Sequence, residues 1–384
     1  MAALPRILVF SPSNLATDPR VRRQLELLQG TCMLTAAGLV DPGLAGVEFV
    51  PLTSRRKTWP RRFLAGSHLL ARQFTKYYAD LGFIRSARLT LSGREFDVII
   101  ANDAESWPLG LELRQRGRVL FDAHEYAPRE FEHAWWWRRL YQPYKTDLCH
   151  RFLDHADGML TVCPGIADEY ARVFGVRPVV VMNVPMAARL SPAPSTAGRV
   201  RMIHHGGAIP ARKIENMIRM LDYLDERFTL DLMLVPSDPR YVAHLRRLAS
   251  NRPRVRFIDP VPMPQIAATI NRYDLGVYLL EPNSFNNLHA LPNKFFEFIQ
   301  ARLGVAIGPS PEMARIVRAH ACGVVAESFR PAALAATLRA ITPGQIASWK
   351  EHAHRAADRL CWEEESQVLR REIDRLLALG PCAA

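Results

Sequence analysis

Short apolar segments rich in β-forming residues recur along this chain, and each is followed by a polar loop and a segment with helical spacing. In the first half these segments are RILVF (6–10), FDVIIAN (96–102), RVLFDAHE (118–125), GMLTVC (158–163) and PVVVMN (178–183). Continuous apolar strands are typical of parallel sheets that helices cover on both faces. The alternation therefore predicts an α/β fold built on a parallel sheet.

A segment rich in Pro, Ser and Ala, MAARLSPAPSTAG, interrupts the alternation at residues 186–198, and we interpret it as an interdomain linker. After it the predicted strands are VRMIHHGG, LDLMLVPSD, VRFIDPV, DLGVYLL and GVAIGPS. A length of 384 residues also favours two domains over a single core. We therefore predict two doubly wound parallel-sheet domains, residues 1–185 and 199–360, that face a central cleft. The amphipathic helix predicted in 361–384 could pack on either domain, including back across the first.

The formal net charge of +12 favours an anionic partner, which could be a nucleotide, a nucleic acid or an acidic lipid surface. No apolar segment reaches the roughly 18 to 20 residues of a membrane span, and MAALPRILVF leads into a polar loop rather than a cleavage site. The six cysteines include no C-x-x-C pair, and no His cluster has metal-ligand spacing. These features predict a cytoplasmic protein without a bound metal.

The segment HHGGAIPARKIEN (204–216) follows a predicted strand and opens a predicted helix. Gly206 and Gly207 allow close approach of the backbone, while Arg212, Lys213 and free N–H groups at the helix start would attract phosphate. The segment is neither G-x-G-x-x-G nor a Walker loop. An ordinary glycine turn with solvated basic residues is the alternative interpretation.

The segment NNLHALPNKFFEF (286–298) predicts a helix that begins near its proline and buries Phe295 and Phe298. Lys294 and Glu297 then fall about one turn apart on another face. They could form a surface ion pair, worth less than about 1 kcal/mol. Alternatively, the Glu297 carboxylate could accept hydrogen bonds from the hydroxyl groups of a sugar.

In the first half, polar side chains follow predicted strands or lie in the first loop: Asp18, Arg20, Asp103, Asp122, His124 and Glu125. Ligands of parallel sheets bind at the carboxyl ends of the strands, so these residues are candidates for substrate contacts. A structural histidine and simple turn residues are the alternatives.

Two segments combine basic and aromatic residues, SRRKTWPRRF (54–63) and HAWWWRRLYQPYK (133–145). This chemistry suits an anionic bilayer surface, where rings insert and cations meet lipid headgroups. It also suits stacking on single-stranded nucleic acid. The third interpretation is that some of the tryptophans belong to the core and the cations are solvated.

Taken in order, these segments resemble the retaining glycosyltransferases of family 4, which have the GT-B fold. The resemblance spans residues 6–378 and depends on the order and spacing of several motifs rather than on any single one. They are DPRVRRQLELLQG, FDVIIAND, the D-x-H-E of residues 122–125, HADGMLTVCPGIADEYARVFG, GGAIPARKIENMI, YDLGVYLL, PNKFFEF and SPEMARIV.

The resemblance implies a nucleotide-sugar donor, a UDP- or GDP-sugar, bound mainly by the second domain, and an acceptor bound mainly by the first. Glu297 matches the second glutamate of the family's E-x7-E motif, which holds the ribose, whereas the first position is occupied by His289. The residues implied in catalysis are His124, Arg212 and Glu297. Those implied in donor binding are Gly206, Gly207, Arg212, Lys213, His289, Leu291, Asn293, Lys294 and Glu297. Those implied in acceptor binding are Asp18, Arg20, Asp103, His124 and Glu125.

We therefore predict a hexosyltransferase-type enzyme that extends a cell-surface glycan or a lipid-linked saccharide with retention of configuration and without a metal cofactor. It is expected in the cytoplasm, with peripheral association at the inner face of the cell membrane. The absence of a recognisable RNA- or DNA-binding motif argues against a nucleic-acid partner. The alternatives are a GT-B nucleotide-sugar epimerase or hydrolase, and a non-catalytic transferase-like subunit, for which His289 is the main argument.

Overall fold

The computed structural model describes residues 4–53 and 59–382, with the backbone alone at 59–62. Most of the basic segment SRRKTWPRRF therefore lies outside the described side chains. The chain divides into two compact units, which are described separately. Unit 1 comprises Met1–Met182, Ser284–Asn286 and Ser366–Ala384, and unit 2 comprises Asn183–Asn283 and Asn287–Glu365.

The described part of unit 1 is a parallel sheet with helices. Its strands are β1 (Arg6–Phe10), β2 (Met33–Gly38), β3 (Val47–Pro51), β4 (Val98–Asn102), β5 (Arg118–Ala123), β6 (Gly158–Thr161) and β7 (Val179–Val180). They pair in the order β3-β2-β1-β4-β5-β6-β7, and all pairings are parallel. Its helices are α1 (Pro19–Leu28), α2 (Trp59–Leu70), α3 (Phe74–Ala79), α4 (Gly82–Leu91), α5 (Trp107–Leu113), α6 (Trp135–Phe152) and α7 (Pro164–Phe174).

Unit 2 has the same kind of architecture. Its strands are β8 (Val200–Gly207), β9 (Phe228–Val235), β10 (Val255–Ile258), β11 (Leu275–Tyr278), β12 (Gly304–Ile307) and β13 (Gly323–Val325). They pair in parallel in the order β10-β9-β8-β11-β12-β13. The remaining helices are α8 (Glu215–Met220), α9 (Pro239–Ala249), α10 (Ile266–Ile270), α11 (Phe285–Leu288), α12 (Asn293–Gln300), α13 (Pro311–His320), α14 (Pro331–Arg339), α15 (Pro343–Ala357) and α16 (Trp362–Ala378), and most of α16 belongs to unit 1.

The strand order reverses next to the first strand of each sheet, where β1 pairs with β4 and β8 pairs with β11. In doubly wound sheets this reversal opens a crevice at the carboxyl ends of the two strands, where ligands bind. The two parallel sheets confirm the predicted α/β class with two doubly wound domains. The polar residues that follow β1, β4, β8 and β11 are therefore the ones to examine.

Close packing of α12 on the sheet fixes the position of the residues at its start. Gly276 in β11 has no side chain because the Phe298 ring occupies that space: a Cβ on Gly276 would lie 2.2 Å from the ring. Phe295, Phe296 and Phe298 are all fully buried. The first turn of α12 is consequently held against the carboxyl end of the sheet.

Several predicted boundaries differ from the structure. Strands β2, β3 and β13 were not predicted, because their sequences lack the long apolar runs of the central strands. The strand predicted over 178–183 is limited to Val179–Val180, and the helix predicted over 213–224 is α8 followed by a short 3-10 helix, Leu221–Tyr223. Pairing with a neighbouring strand and capping by the surrounding chain decide these ends, and neither is visible in local periodicity.

A buried ion pair holds α1 to the sheet of unit 1. The Arg20 guanidinium donates to both carboxylate oxygens of Asp122 at 2.8 and 2.6 Å, and to the Val181 carbonyl at 2.8 Å. Gln24 donates a further hydrogen bond to Asp122, at 2.5 Å. Burial alone would raise the pKa of Asp122, but the charges of Arg20 and His124 and the hydrogen bonds lower it below its ordinary value. Asp122 is therefore ionised and completely paired.

Arg20→Ala is expected to destabilise unit 1 by about 3–5 kcal/mol, because it leaves the buried Asp122 carboxylate without its cation. Arg22→Ala is the matched control, since Arg22 lies on the same helix and forms an exposed ion pair with Glu26, worth less than about 0.5 kcal/mol. Urea unfolding of both variants measures the difference. Equal midpoints for the two variants would contradict this account of the buried pair.

Candidate functional site

The carboxyl end of β8 and the loop after it form a cationic turn in unit 2. Gly206 has a φ of +112°, a conformation that favours glycine. The short 3-10 helix Pro210–Arg212 follows, and the Arg212 guanidinium donates to the Gly207 carbonyl at 3.2 Å. Lys213 lies at the end of this helix, with its ammonium 2.7 Å from a Glu281 carboxylate oxygen and both side chains nearly half exposed. Arg212 and Lys213 therefore lie where the strand order predicts a ligand.

Lys294, in the first turn of α12, lies against Gly206 of the same turn and is only 5% exposed. Its ammonium lies 4.7 Å from the centre of the Tyr278 ring and 3.5 Å from His204 Nε2. His204 Nδ1 is 2.9 Å from the Val277 carbonyl. Because a carbonyl only accepts, Nδ1 carries the proton and Nε2 faces Lys294 as an acceptor.

Glu297 lies one helical turn after Lys294 and is 7% exposed. One of its carboxylate oxygens is 3.5 Å from His205 Nε2. Burial lowers the pKa of His205 to about 3. The interpretation of Lys294 and Glu297 as a surface ion pair is therefore wrong, because both side chains are buried and face the end of β8.

His289 contacts the start of α13 rather than solvent alone. Its Nδ1 lies 3.3 Å from a carboxylate oxygen of Glu312, which also pairs with Arg315 at 2.7 Å. A carboxylate is thus present beside the position where the resemblance implies one, although it comes from a different helix. Leu291 is buried, and Asn293 begins α12 with a buried Oδ1 that has no hydrogen-bond partner among the described residues.

A second polar cluster lies at the carboxyl ends of β4 and β5 in unit 1. His124 Nε2 is 3.0 Å from Asn102 Oδ1, and Asn102 in turn donates to Gln24 at 3.1 Å. His124 Nδ1 lies 3.5 Å from Asp103, which has an unusual φ of +65°. The amide of Asn102 therefore fixes Nε2 as a hydrogen-bond donor and orients the ring.

Two of the residues predicted to contact the acceptor also take part in the fold of unit 1. Asp18 caps α1 by accepting from the backbone N–H groups of Arg20 and Val21. The Arg20 guanidinium is occupied by Asp122 and Val181. Glu125 remains exposed and accepts a hydrogen bond from Asn286 at 3.3 Å. The structure thus brings His124, Asp103 and Glu125 together and uses Asp18 and Arg20 to hold the fold.

Sequence reasoning missed a buried lysine beside this cluster. Lys145, on α6, lies 2.7 Å from Glu105 and 2.8 Å from Glu130. Although burial opposes its charge, the two carboxylates raise the pKa of Lys145. The only signal in the sequence was Glu105, which follows β4 closely; Lys145 lies within an aromatic segment that suggested a surface.

Among the described residues, no group of three or more His, Cys, Asp or Glu side chains is placed to hold a metal ion. None of the helices in the described part of the chain has the length and apolar character needed to cross a bilayer.

The architecture defines a class, the two-domain proteins of the GT-B fold. Sucrose-phosphate synthase from Thermosynechococcus elongatus aligns with a TM-score of 0.73 and 14% identity over 98% of this chain and 100% of that one. HepE of Anabaena in complex with UDP-glucose aligns with a TM-score of 0.67 and 14% identity over 97% and 100%. WaaG, a glycosyltransferase involved in lipopolysaccharide biosynthesis, aligns with a TM-score of 0.59 and 12% identity over 94% and 98%.

Part of the sequence also matches a family of glycosyltransferases. Residues 45–185 match the sequence model of Glycosyltransferase Family 4. No curated protein sequence is a match to the chain. The family match over residues 45–185 confirms the resemblance to family 4 in that part of the chain, and the structural matches over nearly the whole chain confirm the GT-B fold.

The buried His205 predicts a pH dependence of stability. Its pKa is about 3 in the folded chain, against roughly 6.5 when unfolded, so the unfolded state takes up a proton first and stability falls as the pH drops below about 6.5. Between pH 7 and 5 this one residue should cost about 2 kcal/mol.

His205→Phe is expected to remove that part of the loss, and the same substitution at His133, an exposed residue of unit 1, is the control that should not. Urea unfolding at pH 7 and pH 5 measures both. A pH dependence that is unchanged in His205→Phe would contradict the assignment of a buried neutral ring.

Proposed function

We propose that the protein is a glycosyltransferase that moves a sugar from a nucleotide-sugar donor, a UDP- or GDP-sugar, to a saccharide or lipid-linked acceptor. The observation that carries the proposal is the convergence of Arg212 and Lys294 on the end of β8, beside the buried carboxylate of Glu297 and with Lys213 next in the same loop. Cations suit a diphosphate and the carboxylate suits ribose hydroxyls. The UDP-glucose complex of HepE, which has the same fold, supports a nucleotide-sugar ligand.

Transfer breaks the bond between the anomeric carbon and the phosphate oxygen, and negative charge develops on the leaving diphosphate. Arg212, Lys213 and the backbone N–H groups after β8 are placed to stabilise that charge. For retention, the acceptor hydroxyl attacks from the face that the phosphate leaves, and its proton passes to a β-phosphate oxygen. The protein then needs no base of its own, and the cations take the role that a metal has in other transferases. We therefore expect sugar transfer to continue in the presence of EDTA.

Within unit 1, His124 is proposed to contact the transferred sugar, with Asp103 and Glu125 as acceptor contacts. Asn102 orients the ring so that His124 Nε2–H is a donor, which leaves Nδ1 on the side of Asp103. Hydroxyl groups of a saccharide suit this mixture of donors and carboxylates. A cell-surface or lipid-linked saccharide is the acceptor class, in line with the role of WaaG in lipopolysaccharide biosynthesis.

One observation favours a second candidate, a transferase-like subunit that binds the donor without turning it over. His289 replaces the carboxylate implied by the resemblance, and it is engaged with Glu312. Nucleotide release from UDP- and GDP-sugars, measured with and without a panel of saccharide and lipid-linked acceptors, separates the candidates. Release only with an acceptor supports transfer, release without one supports a hydrolase or epimerase, and tight binding without release supports the subunit.

The protein is further proposed to associate peripherally with an anionic membrane through unit 1. At the start of α6, Trp135 is 72% exposed and Trp136 is 49% exposed, as is Phe131 just before them at 48%. Arg138 and Arg139 on the same helix are also exposed. Trp137 is buried, so one of the three tryptophans of the segment belongs to the core and the other two are open to solvent. Exposed rings beside cations suit lipid headgroups and the boundary of the acyl chains.

Arg212→Ala is expected to lower kcat for sugar transfer by about 100-fold or more, because it removes a charge that stabilises the leaving diphosphate. The matched control is Arg219→Ala, since Arg219 is an exposed arginine on the next helix. Transfer is measured with the donor that the panel identifies, and circular dichroism checks the fold. Near-wild-type transfer in Arg212→Ala would contradict the site assignment.

The double substitution Trp135→Ser and Trp136→Ser is expected to abolish most sedimentation with phosphatidylglycerol-containing vesicles, because it removes the inserting rings. Leu89→Ser is the control, since Leu89 is an 85% exposed apolar residue of the same unit. Vesicles of phosphatidylcholine alone test the contribution of charge. Undiminished sedimentation of the double variant, or equal binding to both vesicles, would contradict this surface as the anionic-lipid contact.

A further inference from the structure

The surroundings of Lys294 do not satisfy a buried ammonium group. Its closest contacts are neutral: His204 Nε2 at 3.5 Å and the face of the Tyr278 ring, whose centre is 4.7 Å away. Glu297 supplies a favourable charge from the next turn of the same helix, yet burial and the charge of Arg212 lower the pKa of Lys294 well below its ordinary value. A buried lysine of this kind loses its proton when nothing anionic is bound.

The amine also lies directly against the backbone that ends β8. A Cβ on Gly206 would be 3.0 Å from Lys294 Nζ and 3.2 Å from Cε. Gly206 therefore leaves the space through which the amine reaches the turn. Arg212 contacts the same turn through its hydrogen bond to the Gly207 carbonyl. Two side chains that repel each other as cations thus converge on one glycine turn, an arrangement that an anion between them would stabilise.

We propose that Lys294 binds the donor diphosphate beside the Gly206–Gly207 turn and takes up one proton from solution as the diphosphate binds. This inference rests on the proposed function, in which Lys294 is already a donor-binding residue, and it adds the proton that Lys294 takes up at that site. The reaction is a simple transfer: solvent or buffer gives a proton to the neutral amine, and the ammonium formed donates hydrogen bonds to phosphate oxygens.

Other titratable groups around Lys294 do not account for such a proton. Burial lowers the pKa values of His204 and His205, on β8, far below neutrality, so they stay uncharged. Burial raises the pKa of Tyr278, on β11, to about 12, and its hydroxyl keeps its proton. Arg212 is always charged. Glu297 is the carboxylate on the helix of Lys294 itself, and protonation of it would weaken ribose binding rather than strengthen phosphate binding.

The test is isothermal titration of the full chain with UDP and with GDP at pH 8, in Tris and in HEPES, whose different ionisation enthalpies reveal proton exchange. At this pH a terminal phosphate, with a second pKa near about 6, has already lost its protons. Wild-type protein is expected to take up close to one proton per bound nucleotide. Uridine and guanosine, which lack phosphate, are expected to cause no uptake.

Three variants make the assignment specific. Lys294→Met is expected to lower nucleotide affinity by about tenfold or more, to abolish proton uptake and to raise the melting temperature of the ligand-free protein, since a buried amine is removed. Lys294→Arg carries a permanent charge, so it should retain more affinity than Lys294→Met while taking up no proton. Lys350→Met is the matched control, because Lys350 is also buried in unit 2 but donates to the Tyr273 carbonyl. It should leave proton uptake unchanged.

Binding of UDP or GDP without proton uptake in the wild-type protein would overturn this inference and leave the proposed function intact. Uptake that persists in Lys294→Met would overturn it as well. If Lys294→Met does not fold, the other two titrations test the inference. Proton uptake by the wild-type protein but not by Lys294→Arg would support it, and uptake by both would overturn it. Failure of every nucleoside diphosphate to bind the wild-type protein would overturn both this inference and the proposed function.

Discussion

The parallel pairing of β8 with β11 is the constraint on which the candidate donor site depends. Because the strand order reverses at this pair, the connections leave on opposite faces of the sheet, and the carboxyl ends are left open to a ligand. The Gly206–Gly207 turn ends β8, and α12 follows β11 in the chain. Phe298 locks α12 against Gly276, so the first turn of the helix has a fixed place. The packing of the core therefore positions Lys294 and Glu297 at the end of β8.

Unit 1 uses the same edge of its sheet differently. A continuous network of hydrogen bonds runs from Arg20 through Asp122, Gln24 and Asn102 to His124. Most of its members are buried and fully paired, and only the last reaches the surface. This network fixes the ring of His124, and it occupies the Arg20 guanidinium with hydrogen bonds to Asp122 and Val181. Arg20, which the sequence suggests as an acceptor contact, thus takes part in holding the ring of His124.

Periodicity and composition were enough to predict the α/β class, the repeated units and the placement of the candidate residues after strands. They could not predict that Lys294 is buried, because a helical face that carries charge normally faces water. Nor could they show the Arg20–Asp122 pair, whose members are 102 positions apart, or the contact of His289 with Glu312. These features depend on which strands are neighbours, and a local pattern does not contain that information. The short edge strands β3 and β13 were missed for the same reason.

The central claim is that the end of β8 and the start of α12 bind a nucleotide sugar. Hydrogen–deuterium exchange of the full chain, with and without UDP- and GDP-sugars, tests it most directly because it reports the place of binding. At least one of these donors should slow exchange in peptides covering residues 203–213 and 289–300. Protection confined to other parts of the chain, or no protection by any nucleotide sugar, would contradict it.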